Sequence, residues 1–179
     1  DNKDLKLLNI LGTSYSINND YKNGNKFFQK CLKLDPDNIQ IRYNLGLNFF
    51  NQDNFLDSLN QFSHIIALDE NFRNSEVIYG VIQLKLNNYK EAIEIFNKLV
   101  TKKKYLSESN YYLGIAYQEK EEYMLSVKYF EEAINIDSIK SEYYNALGVS
   151  FQKLFNYKKA KSCYLKAIKL NSNYAKAFN

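Results

Sequence analysis

Five glycines, Gly12, Gly46, Gly80, Gly114 and Gly148, stand 34 residues apart, and they are five of the six glycines in the chain. A fixed period of this length marks a repeated supersecondary unit and must be read before any local pattern. The surrounding residues keep the same period. Leu11, Leu45, Tyr79, Leu113 and Leu147 precede the glycines by one place. Tyr15, Phe49, Gln83, Tyr117 and Phe151 follow by three, Tyr21, Phe55, Tyr89, Tyr123 and Tyr157 by nine, and Phe28, Phe62, Phe96, Phe130 and Tyr164 by sixteen.

Each repeat reads as two helices. In the fourth, Tyr111, Tyr112, Ile115 and Ala116 recur at helical spacing until Glu119, and a second run goes from Tyr123 through Val127, Phe130, Ala133 and Ile134. The turns between runs are short, so paired helices must lie antiparallel. The chain is one array of repeats at about 5–38, 39–72, 73–106, 107–140 and 141–174, and Ala175-Lys176-Ala177-Phe178 opens a further one. Glycine inside a helix costs about 1 kcal/mol relative to alanine, so it must serve a close approach. The column twelve places later is small throughout: Gly24, Ser58, Ala92, Ser126 and Ala160. No single pair can bury its own apolar surface, so stability must come from stacking.

Composition agrees with an all-α chain. Of 179 residues 45% are hydrophobic, against only six glycines and one proline, too little punctuation for a β-sandwich and too apolar for disorder. The formal charge of +4 is too mild to imply nucleic acid. Two cysteines and one histidine cannot assemble a zinc site. There is no Gly-rich phosphate loop, nucleophile elbow or paired acid–base constellation, so neither enzyme activity nor a cofactor is expected. No apolar run reaches transmembrane length, and no membrane partner is expected. The chain starts at Asp1 and is expected to be a fragment or a processed form; an uncovered array end is then a candidate for self-association.

The Leu-Gly pair, the aromatic three later, the small residue and the later aromatic resemble the tetratricopeptide repeat family over nearly the whole chain. Only Pro36 keeps that family's closing proline, and its common tryptophan is replaced by Leu8, Arg42, Glu76, Asn110 and Tyr144. The third repeat departs most, with Gln83 in an aromatic column and Lys102-Lys103-Lys104 near its end, which predicts a looser or shifted turn there. The resemblance implies an α-solenoid of antiparallel helix pairs wound as a right-handed superhelix. It also implies that first helices line a concave face where ligands lie. On that face Tyr43, Val77, Tyr111 and Asn145 stand three before the glycines; Leu47, Val81, Ile115 and Val149 stand one after; Phe50 stands four after. This apolar, tyrosine-bearing stripe suits a peptide or helical segment of another protein, although such spacing equally describes residues packed on their neighbours. The lysines and arginines of the family's carboxylate-binding members are missing: the matching places hold Asn9, Thr13, Asn44, Asn74 and Ile78. The family's asparagine ladder is missing too, except for Asn44.

Charge is segregated. Between Ser107 and Glu142 acids outnumber lysines, whereas from Tyr143 to Asn179 there are no acids and seven lysines. A solvated face is the simpler reading, and a site for an acidic partner or nucleic acid the other. His64 reads as a surface or packing residue and Cys31, in a column otherwise holding Ala133 and Ala167, as a small core residue. Reduced cysteines agree with a cytoplasmic location. The expected function is a non-catalytic interaction scaffold.

Overall fold

The computed structural model describes residues 2–171; the expected opening of a further repeat at 175–178 lies outside them. The described residues form ten helices: α1 (Asn2–Ile17), α2 (Tyr21–Leu34), α3 (Ile39–Asn51), α4 (Phe55–Leu68), α5 (Ser75–Lys85), α6 (Tyr89–Thr101), α7 (Leu106–Glu119), α8 (Tyr123–Ile136), α9 (Ser141–Lys153) and α10 (Tyr157–Leu170). The chain divides into two compact units, Asp1–Leu86 with α1 to α5 and Asn87–Asn179 with α6 to α10. In each unit every helix packs mainly on its neighbours in sequence. The fold is all-α, with helix pairs stacked in the solenoid manner within each unit.

The turn inside each pair follows one scheme. The residue seven after the glycine is left-handed: Asn19 (φ 61°), Asp53 (55°), Asn87 (61°), Glu121 (60°) and Phe155 (58°). This conformation lets the next N–H reach back five residues, as in Asp20 to the Tyr15 carbonyl at 2.9 Å and Asn156 to the Phe151 carbonyl at 2.9 Å. Orphan carbonyls at the end of the first helix are satisfied in this way. In three of the pairs the same next residue then caps the second helix with its side chain. Asp20, Asn54 and Asn156 accept from the backbone N–H of Asn23, Asp57 and Lys159, a contribution of about 1 kcal/mol each. Asn and Asp adopt left-handed backbone at little cost, and a bulky residue such as Phe155 at a greater one.

The turns between pairs vary more. After α6 both Lys103 (φ 54°) and Tyr105 (47°) are left-handed, which is the irregular turn that the lysine run predicts. The α4–α5 turn also departs, with Arg73 left-handed (51°) and α5 beginning only at Ser75. No feature of the periodicity announces this second irregularity.

The lattice glycines are explained by rings. A Cβ on Gly114 would lie 2.5 Å from two ring carbons of Phe130, and one on Gly12 would lie 2.6 Å from Phe28. At Gly12, Gly46, Gly114 and Gly148 the aromatic sixteen places later therefore lies against its own glycine. The small column also matters as expected: Ser58 donates to the Gly46 carbonyl at 2.9 Å, and a Cβ on Gly24 would meet the Gly12 carbonyl at 3.1 Å. Phe28, Phe62, Phe96 and Phe130 are at most 1% exposed. Burial of each such ring is worth roughly 2–3 kcal/mol.

Candidate protein-binding surfaces

In unit 1 the surface is carried by α1, α3 and α5. Leu47 and Val81 are half-buried, as is Thr13 in the same column. Leu47 packs partly on the cluster of Tyr43, Phe62, Ile65 and Ile82 and also walls a cleft of about 220 Å³ with Thr13, Ser16, Ile17, Asn44, Asn48 and Asn51. The cleft lining holds no charged side chain. Its floor is fixed by Asn48, whose Nδ2 donates to Ser16 Oγ at 2.8 Å and to Asn25 Oδ1 at 3.0 Å. Ser16 in turn donates to the Gly12 carbonyl at 2.7 Å. Phe50 is half-buried and meets Phe55 edge to face at 5.7 Å.

Tyr43 and Val77 are more deeply placed, at 8% and 6% exposure. Tyr43 touches Phe62 and Phe72 edge-on and carries the Arg73 guanidinium 5.0 Å over its ring. Its hydroxyl donates to Asn74 Oδ1 at 2.8 Å. The ring thus fastens α3 to the turn that enters α5.

In unit 2 the corresponding helices are α7 and α9. Ile115, Val149, Tyr111 and Asn145 are all half-buried. Tyr111 stands in an aromatic ladder: it stacks on Tyr143 at 4.7 Å and meets Tyr112 at 5.1 Å, and Tyr112 stacks on Phe96 at 5.2 Å. Ile115 and Tyr111 lean on the core of Phe130, Ala146, Leu147, Phe151 and Ala160. A polar bridge spans successive repeats here too. Gln118 Nε2 and Ser126 Oγ both donate to Ser150 Oγ, at 3.1 and 2.8 Å. Burial raises the Tyr143 phenol to about 12, with the nearby carboxylates of Glu108, Asp137 and Glu142 adding to the rise against a hydrogen bond with Ser107. Tyr143 is therefore a neutral ring at ordinary pH.

The remaining sequence candidates fall as follows. Cys31 is buried in the unit 1 core and its thiol is pushed up by burial; both cysteines are free. His64 lies 3.1 Å from Asp37 on the surface. Lys153, Lys158, Lys159, Lys161, Lys166 and Lys169 are all exposed. The sequence reading singled out Asn44 but missed the cleft beside it. The signal was present in Asn44, Asn48 and Asn51, spaced to share one helix face. Among the described residues no helix is long and apolar enough to cross a membrane.

Models of the tetratricopeptide repeat match residues 5–38, 77–101 and 107–139, and a second model of the same repeat matches 141–174. No curated protein matches the chain in sequence. Solved structures do match in fold. MamA from Desulfovibrio magneticus RS-1 superposes with a TM-score of 0.81 at 18% identity, over 95% of this chain and 96% of that one. Another MamA structure gives 0.78 at 18% identity, over 98% and 96%. YrrB, described as a tetratricopeptide repeat protein with an unusual peptide-binding site, gives 0.67 at 17% identity, over 92% and 85%.

Proposed function

Because this chain belongs to the tetratricopeptide repeat family, we propose that it is a non-catalytic protein–protein interaction scaffold that holds a peptide or helical segment on its first helices. The observation that carries this reading is the column one place after each glycine. In four of the five repeats it is aliphatic, Leu47, Val81, Ile115 and Val149, and all four stay half-buried although the glycines one place earlier are buried. In unit 1 the contact surface is Leu47, Phe50 and Val81 beside the uncharged cleft, with Tyr43 and Val77 supporting it from below. In unit 2 it is Tyr111, Ile115, Asn145 and Val149. The aliphatic residues supply apolar contact, and the asparagines and tyrosine hydroxyls supply hydrogen bonds to a bound backbone. The peptide-binding site named for YrrB is a precedent for the fold, not for these residues.

Affinity capture from a lysate of the source organism tests the reading, with Leu47→Glu and Ile115→Glu as separate variants checked for helicity. A captured partner should be lost at least tenfold by one variant, about 1.4 kcal/mol, and the variant that fails identifies the unit in use. Full capture by both folded variants would exclude these surfaces.

A further inference from the structure

Phe155 is out of keeping with the four other residues at its place. Asn19, Asp53, Asn87 and Glu121 are polar, as suits an exposed left-handed position; Phe155 adopts the same φ of 58° and is 78% exposed. It contributes little to the core and holds a conformation that a bulky residue disfavours. The exposure belongs to the turn position itself. Asn19, Asp53 and Glu121 are exposed too, although another helix pair or helix comes after each within its own unit. The ring meets Tyr157, itself 62% exposed, edge to face at 6.4 Å. At the neighbouring turn of the same unit, Met124 is 72% exposed.

Charge divides across these two turns. The α7–α8 turn bears exposed Glu119 and Glu121 and a Glu122 paired with Lys120. The α9–α10 turn bears exposed Lys153, Lys158 and Lys159 and no acid. Among the described residues no ion pair joins one turn to the other. The edge thus carries an acidic turn with an exposed Met and then a basic turn with exposed aromatics, in that order along the chain. A two-fold interface needs one patch that complements itself, and this order does: rotation lays the acidic turn on the partner's basic turn and Met124 against Phe155, a favourable sulfur–aromatic contact.

We propose that this edge of unit 2 pairs with the same edge of a second copy of the chain. The pairing is small and weakens with salt, because exposed charges are screened within about 8 Å at physiological ionic strength. Sedimentation equilibrium of the 179-residue chain tests it. The wild-type chain should dimerise reversibly, less at high salt. Phe155→Asn should weaken dimerisation at least tenfold while raising the melting temperature, since Asn suits the left-handed turn; unfolding cannot then explain the loss. Lys153→Glu with Lys158→Glu should weaken it as well, and adding Glu119→Lys and Glu121→Lys should restore it. Leu7→Lys, on α1 in unit 1, should leave it unchanged. A chain monomeric up to about 1 mM, the weak end of the affinity scale, overturns the proposal. So does a Phe155→Asn variant that dimerises like wild type, or pairing lost through Leu7→Lys alone.

Discussion

Unit 1 and unit 2 carry the same lattice but surface it differently at places three repeats apart. Around the unit 1 cleft stand Thr13, Ser16, Ile17, Asn44, Leu47 and Asn51; the matching places in unit 2 hold Ile115, Gln118, Glu119, Ala146, Val149 and Lys153. Beneath both lie the same glycine and the same buried Phe, Phe28 on Gly12 and Phe130 on Gly114. The ring-on-glycine contact sets the spacing of the pair, so side chains on the outer face vary without disturbing it. An uncharged cleft and an aromatic, charge-rimmed surface can therefore rest on one scaffold. The two units also fix the step between repeats with different groups: Ser16 and Asn48 match Gln118 and Ser150 in place, but the third member shifts by one, Asn25 in unit 1 against Ser126, which matches Gly24, in unit 2.

If the shared layer carries stability, matched core truncations should cost the two units alike. Phe28→Ala and Phe130→Ala should each lose about 3–5 kcal/mol, read from urea unfolding followed by hydrogen exchange in each unit; a large inequality would break the comparison. Gly12→Ala and Gly114→Ala should each cost about 1–3 kcal/mol, since overpacking against a buried ring outweighs the gain in helix propensity. Stable alanine variants would show that the rings have room to move. The step between repeats should separate the units. Asn48→Leu leaves the buried Asn25 Oδ1 without its donor and should cost about 1–3 kcal/mol, whereas Ser150→Ala should cost about 1 kcal/mol, because the Ser126 hydroxyl then turns its proton to the Tyr123 carbonyl. Tyr143 should add a pH slope to unit 2. The Tyr143 phenol is raised to about 12 in the fold, above the unfolded value of about 10. The unfolded chain releases that proton first, so unit 2 should lose stability as pH rises from about 10 to 12, with full stability below that window. Tyr143→Phe should flatten this contribution in alkaline melting curves; an unchanged slope would assign it to other groups.

The helices, their pairing and the buried phenylalanines were legible because each depends on a column that repeats. The two lattice contacts, ring on glycine and small residue near glycine, were only half legible: spacing named the small column and gave no reason to lay the ring on the glycine. Depth within the candidate surface was the least legible. Tyr43 and Tyr111 share a column, yet Tyr43 is covered by Phe72 and Arg73 from a turn, and turns have no period to read. Phe155 escaped for a related reason. Its oddity shows only beside the polar residues of the other turns, and those draw attention only once their backbone is known to be left-handed.

The ladder in unit 2 has a consequence for light. The chain has no tryptophan and sixteen tyrosines, so tyrosine dominates its near-ultraviolet absorption. Tyr111–Tyr143, Tyr111–Tyr112 and Tyr117–Tyr129 hold their rings within about 5 Å of each other, and all three pairs lie in unit 2. Fixed rings at such separations couple their transitions and give circular dichroism that vanishes when packing is lost. Among the described residues no tyrosine pair in unit 1 matches them. The tyrosine band is thus a native reporter on unit 2, able to follow its packing with no label attached.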